Sequence, residues 1–287
     1  MFKLRLGKRL SRSVGGDVTL FIFLLIIAAV MVVPLIFVVS TSFKPLSELW
    51  LFPPTFIVRS PTLNNYRDLF TLITDSWVPM SRYLFNTVFI TVVGTVGNIV
   101  FASLAAYPLS CYRFPGSRLL FNLVVVSLMF SAVVTRIPNY IIMSRIGFID
   151  TYFALVIPTF GSTLGLFLMK QFMDQMVHKS LLESASIDGA NDWVKFKSIV
   201  MPMCKPAWLT LIIFSVQALW NLGETPLIFT EQLKTLPFAL SQLAAGGIVR
   251  AGVNSAISVL MLVVPLTVFI ITQSNIIETM SKSGLKD

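Results

Sequence analysis

The polarity of the chain changes in long blocks rather than with a short period. Charge-free apolar runs cover Val18–Phe43, Tyr83–Tyr112, Leu119–Thr135, Thr151–Met169, Pro206–Gly223 and Ala251–Ile277, with lengths of 26, 30, 17, 19, 18 and 27 residues. A hydrocarbon layer about 30 Å thick needs roughly 20 apolar residues of helix, because a spanning segment must satisfy its own backbone hydrogen bonds. The pattern therefore predicts an all-α membrane protein with six transmembrane helices. The third run is short, and Ile137–Ser144 could extend it past Arg136; the fifth could continue through Pro226 to Thr230. Lys3, Arg5, Lys8, Arg9 and Arg12 precede the first run as a signal peptide's basic region would. That run, however, exceeds the roughly 7–15 residues of a signal core and has no small-x-small site after it, so it is expected to stay as a membrane helix.

Composition agrees: 55% of the 287 residues are apolar and 12% are charged, about half the roughly 25% charge of a soluble domain. The 22 Lys and Arg against 13 Asp and Glu give +9. In a soluble chain this excess would raise nucleic acid as a partner; in a six-span chain it reads as orientation, and no nucleic acid is expected. With the N-terminus inside, segments 1–17, 113–118, 170–205 and 278–287 hold 14 basic and 7 acidic residues, leaving +2 outside. This assigns both termini to the cytoplasm. The expected organisation is a basic N-terminus (1–17), a six-helix transmembrane domain (18–280) and a short cytoplasmic tail (281–287). Inside the domain lie an external cap (44–82), rich in Pro, Asn and aromatic residues, and a cytoplasmic loop (170–205) much longer than a helix-to-helix turn needs. Cys111 and Cys204 match no metal or redox spacing and read as small apolar residues.

Within the long loop, Ser180 and Glu183 have capping-box spacing, so a short helix is predicted from Leu181. Gly189 can end it in the left-handed conformation and Asn191 can cap a second helix. On that helix Trp193, Phe196, Ile199 and Val200 share a face, and Pro202 and Pro206 should break it before the fifth span. Two short helices jointed at a glycine, carrying apolar surface, are expected.

Glu183-Ser184-Ala185, three residues, Gly189, nine residues, Ile199, one residue, Met201-Pro202 keeps the spacing of the EAA-G-I-LP pattern, departing only at Ser184 and Met201. In this, and in Tyr112-Arg113-Phe114-Pro115-Gly116, Ile146 to Thr151, Phe167 to Phe172, Ile187 to Ala190 and Trp220-Asn221, the chain resembles the MalG-like permease subunits of bacterial, maltose-type ATP-binding-cassette importers. The resemblance covers residues 18 to 280. It implies the type I importer permease fold in the cytoplasmic (inner) membrane, and a loop that docks as a coupling helix on a separate ATPase. Glu183, Ser184, Ala185 and Asp188 would belong to the docking surface, and Gly189 would set the angle between the loop helices. Trp193 and Phe196 would pack against the subunit's own cytoplasmic helix ends or its partner, and Pro202 would belong to the same coupling loop. It further implies a second homologous permease, two ATP-binding subunits carrying ATP and Mg, an extracytoplasmic solute-binding protein and a carbohydrate substrate. This chain would bind no cofactor itself, and it has no G-x-x-x-x-G-K-[ST] loop.

For the solute path, ionisable groups near span ends are the candidates, since such groups usually face a cavity or a partner. Arg136 and Glu224 qualify, and Asn139, Tyr140, Trp220 and Asn221 supply the amides and aromatic faces that sugars need. The alternatives are interfacial anchoring for Tyr140 and Trp220, and snorkelling or a pair with Glu224 for Arg136. A positive wall at Arg136 would suit an acidic oligosaccharide such as alginate; a neutral sugar stays open. Lys234, Gly246, Gly247 and Arg250 lie where the resemblance implies contact with the binding protein. Gly161 and Gly165 form a GxxxG suited to close helix packing. An ion-coupled secondary transporter would put ionisable groups deep in the spans. An intramembrane enzyme would need H-E-x-x-H or G-x-S-x-G, which are absent, and the lone His178 lies outside the spans. No metal site is expected.

Overall fold

The structure, a computed structural model, describes residues 14–53, 55–74, 78–244 and 250–283. Among these the regular structure is helical throughout, with no strand. The described residues fall into two compact units, one formed by 14–69 and 250–259, the other by 70–244 and 260–283.

In the first unit α1 (Val14–Ser42) is apolar all round and its side chains stand exposed, as a helix in lipid requires: Phe21 is 66% and Met31 69% accessible. Its C-terminal end is different. Thr41 and Ser42 are buried, and Asn65 of α3 (Asn64–Thr74) donates to the carbonyls of Ser42 and Lys44, both at 2.8 Å. The short α2 (Leu46–Leu49) carries Glu48, whose carboxylate accepts from the backbone N–H of Arg59 at 2.9 Å. The cap expected at 44–82 is thus ordered over its described part by side chains that satisfy backbone groups.

The second unit is built on α4 (Met80–Cys111), against which pack α7 (Tyr152–Phe160), α8 (Thr163–Met176), α12 (Lys205–Trp220) and α13 (Leu236–Ala244). Small residues let the backbones approach. A Cβ on Gly94 would sit 2.6 Å from Leu219, one on Gly97 1.8 Å from the Phe160 ring, and one on Gly165 2.5 Å from Asn98 Oδ1. Of the expected GxxxG pair only Gly165 serves packing. Gly161 ends α7 and meets no more than the Pro158 carbonyl, because the helix breaks there before α8 begins.

Among the described residues four helices are long and apolar enough to cross a membrane: Gly15–Ser42, Met80–Cys111, Tyr152–Met176 and Ala251–Ser274, the last lying in α14 (Ala251–Ser283). A fifth is obtained if Asp192–Met203 and Lys205–Trp220, bent by 75°, count as one span. The third apolar run does not form one helix. It is divided between α5 (Ser117–Ser127) and α6 (Ala132–Arg145), interrupted at 128–131, so the expectation of six single helices is not met there.

Candidate functional site

The long loop leaves α8 and forms α9 (Lys179–Ile187). Its start differs from the expectation: His178, not Ser180, occupies the N-cap, without a side-chain capping bond, and Ser180 lies in the first turn. The capping box is not made; Ser184 Oγ donates to the Ser180 carbonyl instead. The end of α9 is as expected. Gly189 has φ +81°, Gly189 N–H donates to Ser186 O and Ala190 N–H to Ala185 O, the paired bonds of a glycine-terminated helix. Asn191 then caps α10 (Asp192–Val194) by accepting from Val194 N–H at 2.8 Å.

After α10 the chain widens into a π-helix over Lys195–Val200, passes through α11 (Met201–Met203) and bends at Cys204 into α12. Pro202 does not break the helix, as had been expected. A proline inside a helix clashes with the carbonyl four residues back, here Ser198, and the π stretch provides the extra room. The break comes two residues later, ahead of Pro206, which sits in the first turn of α12.

Anchoring of this loop is firm on one side. Phe196 and Val200 are buried in a cluster with Ala106, Tyr107, Met173 and Cys204, and the Phe196 and Tyr107 rings lie 5.4 Å apart. Tyr112, just past α4, donates to Asp192 Oδ1 at 2.5 Å, and Lys195 pairs with the same carboxylate at 3.2 Å. The Tyr112 bond, then the Lys195 bond, hold the Asp192 carboxyl below the usual carboxylate range; burial and the Asp192 bond push the Tyr112 phenol up. Ala185 is buried on α9. Glu183, Ser184, Asp188, Gly189 and Pro202 are exposed, as are Ile187 at 86% and Trp193 at 60%.

A cavity of about 740 Å³ lies toward the other end of α4. Arg136, Glu224, Lys234 and Gln242 line it with the rings of Phe229 and Phe238. Its wall is the segment between α12 and α13, which contains a single 3-10 turn at Glu231–Leu233. Such a segment needs outside partners for its backbone. Asn86 of α4, fully buried, donates to the carbonyls of Gln232 at 2.9 Å and Lys234 at 2.8 Å and accepts from the Tyr152 hydroxyl at 2.7 Å. Thr87 Oγ1 accepts from Leu236 N–H at 2.8 Å. Asp150, at φ +61°, accepts from Phe229 N–H at 2.9 Å and Thr230 N–H at 2.8 Å. The Thr230 hydroxyl and backbone bonds lower its pKa from the ordinary Asp value.

Arg136 and Glu224 thus come together on one cavity, but no ion pair joins them among the described residues. Lys234 also faces the cavity, paired to Glu231 at 2.6 Å and set over the Phe238 ring at 4.1 Å. Asn139 and Tyr140 on α6 and Asn221 after α12 do not line it. Trp220 is 5% accessible, and its indole N–H donates to Met261 O at 3.1 Å, which makes it a packing residue here. Arg250 is half-buried in the first unit. Gly246 and Gly247 lie outside the described residues. Asn86 and Asp150 were not singled out from sequence; an amide within a charge-free run was the available signal for the first.

Over 226 residues the chain is 35% identical to the polygalacturonan/rhamnogalacturonan transport system permease protein YtcP of Bacillus subtilis (strain 168), covering 77% of the chain and 74% of that protein. The chain belongs to the permease subunits of sugar ABC transporters. The permease is also 30% identical over 270 residues to a putative ABC transporter permease protein, ORF2, of Caldicellulosiruptor sp. (strain Rt8B.4), over 93% of the chain and 96% of that protein. Its fold matches a chain of a bacterial ABC transporter involved in import of the acidic polysaccharide alginate, with a TM-score of 0.75 at 23% identity over 93% of the permease and 99% of that chain. No family model matches the sequence. The permease is therefore an integral membrane protein with the type I importer permease fold, from a family of transport proteins rather than enzymes. Among the described residues no group of three metal-ligating side chains occurs.

Proposed function

We propose that this permease forms half of the translocation pathway of an ATP-driven importer of oligosaccharides or polysaccharide fragments in the cytoplasmic membrane. A second homologous permease completes the pathway, two separate ATPase subunits supply the energy with their own ATP and Mg, and an extracytoplasmic binding protein delivers the sugar. The chain crosses the membrane six times with both termini in the cytoplasm, and α5 and α6 together make the crossing that no single helix makes. The organisation read from sequence, with 1–17 and 281–287 as cytoplasmic ends of a permease domain, belongs to this proposal.

One observation carries the coupling role. The loop helices are held firmly by Phe196, Val200 and Tyr112 on one side, yet on the other they present Ile187 and Trp193 bare to solvent. Apolar side chains displayed on an anchored, jointed loop fit a partner's groove. Glu183, Ser184 and Asp188, exposed on the same loop, are the polar rim of that contact. Ala185 and Phe196 seat the helices, Gly189 fixes their angle, and Pro202 follows the wide π stretch ahead of the bend at Cys204.

Proteoliposomes holding the permease pair, with and without the ATPase subunits, test the reading. Uptake delivered by the binding protein should require both ATP and the ATPases. Uptake driven by an ion gradient in their absence would point to a secondary transporter instead.

A further inference from the structure

The cavity beside Arg136 has a charge pattern that the permease role alone does not require. Lys234 is already neutralised by Glu231 at 2.6 Å and covered by Phe238. Arg136 and Glu224 have no hydrogen bond or ion pair among the described residues, although both line the same space. One unused cation and one unused anion therefore face a volume of about 740 Å³, within the roughly 300–1,000 Å³ of small-molecule sites.

We infer that this cavity is a subsite for a uronate unit of the transported sugar, in which Arg136 takes the carboxylate and Glu224 accepts ring hydroxyls. The inference rests on the sugar-importer reading. A guanidinium offers parallel N–H donors in a fixed fork that matches a carboxylate. The apolar C–H face of a saccharide ring suits the Phe229 and Phe238 rings, and the Gln242 amide can serve further hydroxyls. Charge number separates the candidate anions. Among the described lining residues Arg136 is the one unpaired cation, so a carboxylate is matched by one guanidinium, whereas a phosphate dianion would keep a charge without a partner.

Binding to the assembled transporter in detergent, without the binding protein, is measured by calorimetry for trigalacturonate and trimannuronate and for each sugar's carboxyl-reduced counterpart. Reduction keeps the ring stereochemistry and removes only the charge. The wild-type complex should prefer at least one uronate over its reduced form by about 10-fold or more, the difference that a charge-assisted bond supplies. Arg136→Gln should abolish the preference while changing affinity for the reduced sugar less than about twofold, so the neutral sugar reports that the site is folded. Arg136→Lys should keep part of the preference. Glu224→Gln should move it the opposite way, weakening the reduced sugar and widening the preference. The subsite is overturned if neither uronate is preferred by wild type, or if Arg136→Gln weakens charged and neutral sugars alike. ATP-dependent uptake of neutral sugars without any acid preference would remove the subsite and leave the importer; absence of ATP-dependent uptake of any sugar would remove the importer reading itself.

Discussion

Asn86→Ala is the sharpest test of how the cavity wall is held. The side chain is fully buried and makes three hydrogen bonds, two to the carbonyls of Gln232 and Lys234 and one from the Tyr152 hydroxyl. At about 1 kcal/mol net for each bond, the two bonds to the segment favour its closed position by about 2 kcal/mol, while the Tyr152 bond joins α4 to α7 and does not bear on the opening. Gln232 O keeps the Arg82 Nε–H at 3.2 Å, and Leu236 N–H keeps Thr87. The segment should therefore open more often without the protein unfolding. A change of about 2 kcal/mol is roughly 30-fold in the population of the open segment. Lys234 lies in that segment, paired to Glu231 when closed, so limited trypsin digestion in micelles reads the opening directly. Where opening and closing are fast relative to cleavage, the rate follows the open population. Cleavage after Lys234 should rise by about 30-fold in Asn86→Ala. Cutting at the wild-type rate would refute the assignment of Asn86 as the tie between α4 and the cavity wall.

Gly189→Ala puts a side chain at φ +81° in open space, so strain alone acts, at about 1–2 kcal/mol; membrane levels should hold while uptake falls, and full uptake would count against the jointed loop. Gly165→Ala gains about 1 kcal/mol of helix propensity but places a Cβ 2.5 Å from Asn98 Oδ1, an overpacking cost of about 1–3 kcal/mol; thermal denaturation should show net loss, and a stabilised variant would disprove the close α4–α8 contact. Asp150 has a folded pKa below its unfolded value, so its stabilisation is present above the ordinary Asp range and is lost as pH falls through the lowered folded value. The protection of the Phe229 and Thr230 amides, their hydrogen-exchange rate taken relative to the intrinsic rate at the same pH, should hold down to about pH 4 and fall below it, and Asp150→Asn should remove that acid step; an unchanged acid step would refute the tie. A reporter fused after Asp287 should be active in its cytoplasmic form only, and activity confined to the other side would reverse the proposed topology.

Apolar runs located the helices well because lipid imposes one simple demand, an uninterrupted polar-free segment. α1, α4 and α14 coincide with runs to within a few residues at most ends, and the Gly189 and Asn191 punctuation was readable because each acts on its own backbone neighbours. The third run failed as a single helix since apolarity does not specify continuity, and 128–131 contains no proline or glycine to announce the interruption. Ser180 looked like a cap by spacing alone, but the helix starts at Lys179. Trp220, a candidate for the solute path, is buried in packing, and Asn86, which was not singled out, orders the cavity wall. Which partner a polar group finds depends on segments more than 60 residues away, such as Tyr152 and Gln232 for Asn86. No local pattern encodes that.

The 75° bend at Cys204 gives the anchored loop a mechanical meaning. Phe196 and Val200 on one side of the bend and Leu211 on the other share a single buried cluster, so the elbow is stiff rather than hinged. The 16 residues of α12 form an arm about 24 Å long. A rotation of about 5° at the elbow therefore swings its far end by about 2 Å. That end carries Leu222, whose carbonyl accepts from the Thr235 hydroxyl of the cavity wall. A push on Ile187 and Trp193 would thus reach the cavity wall as a displacement of ångström size, delivered by a bell crank cut from a single stretch of chain.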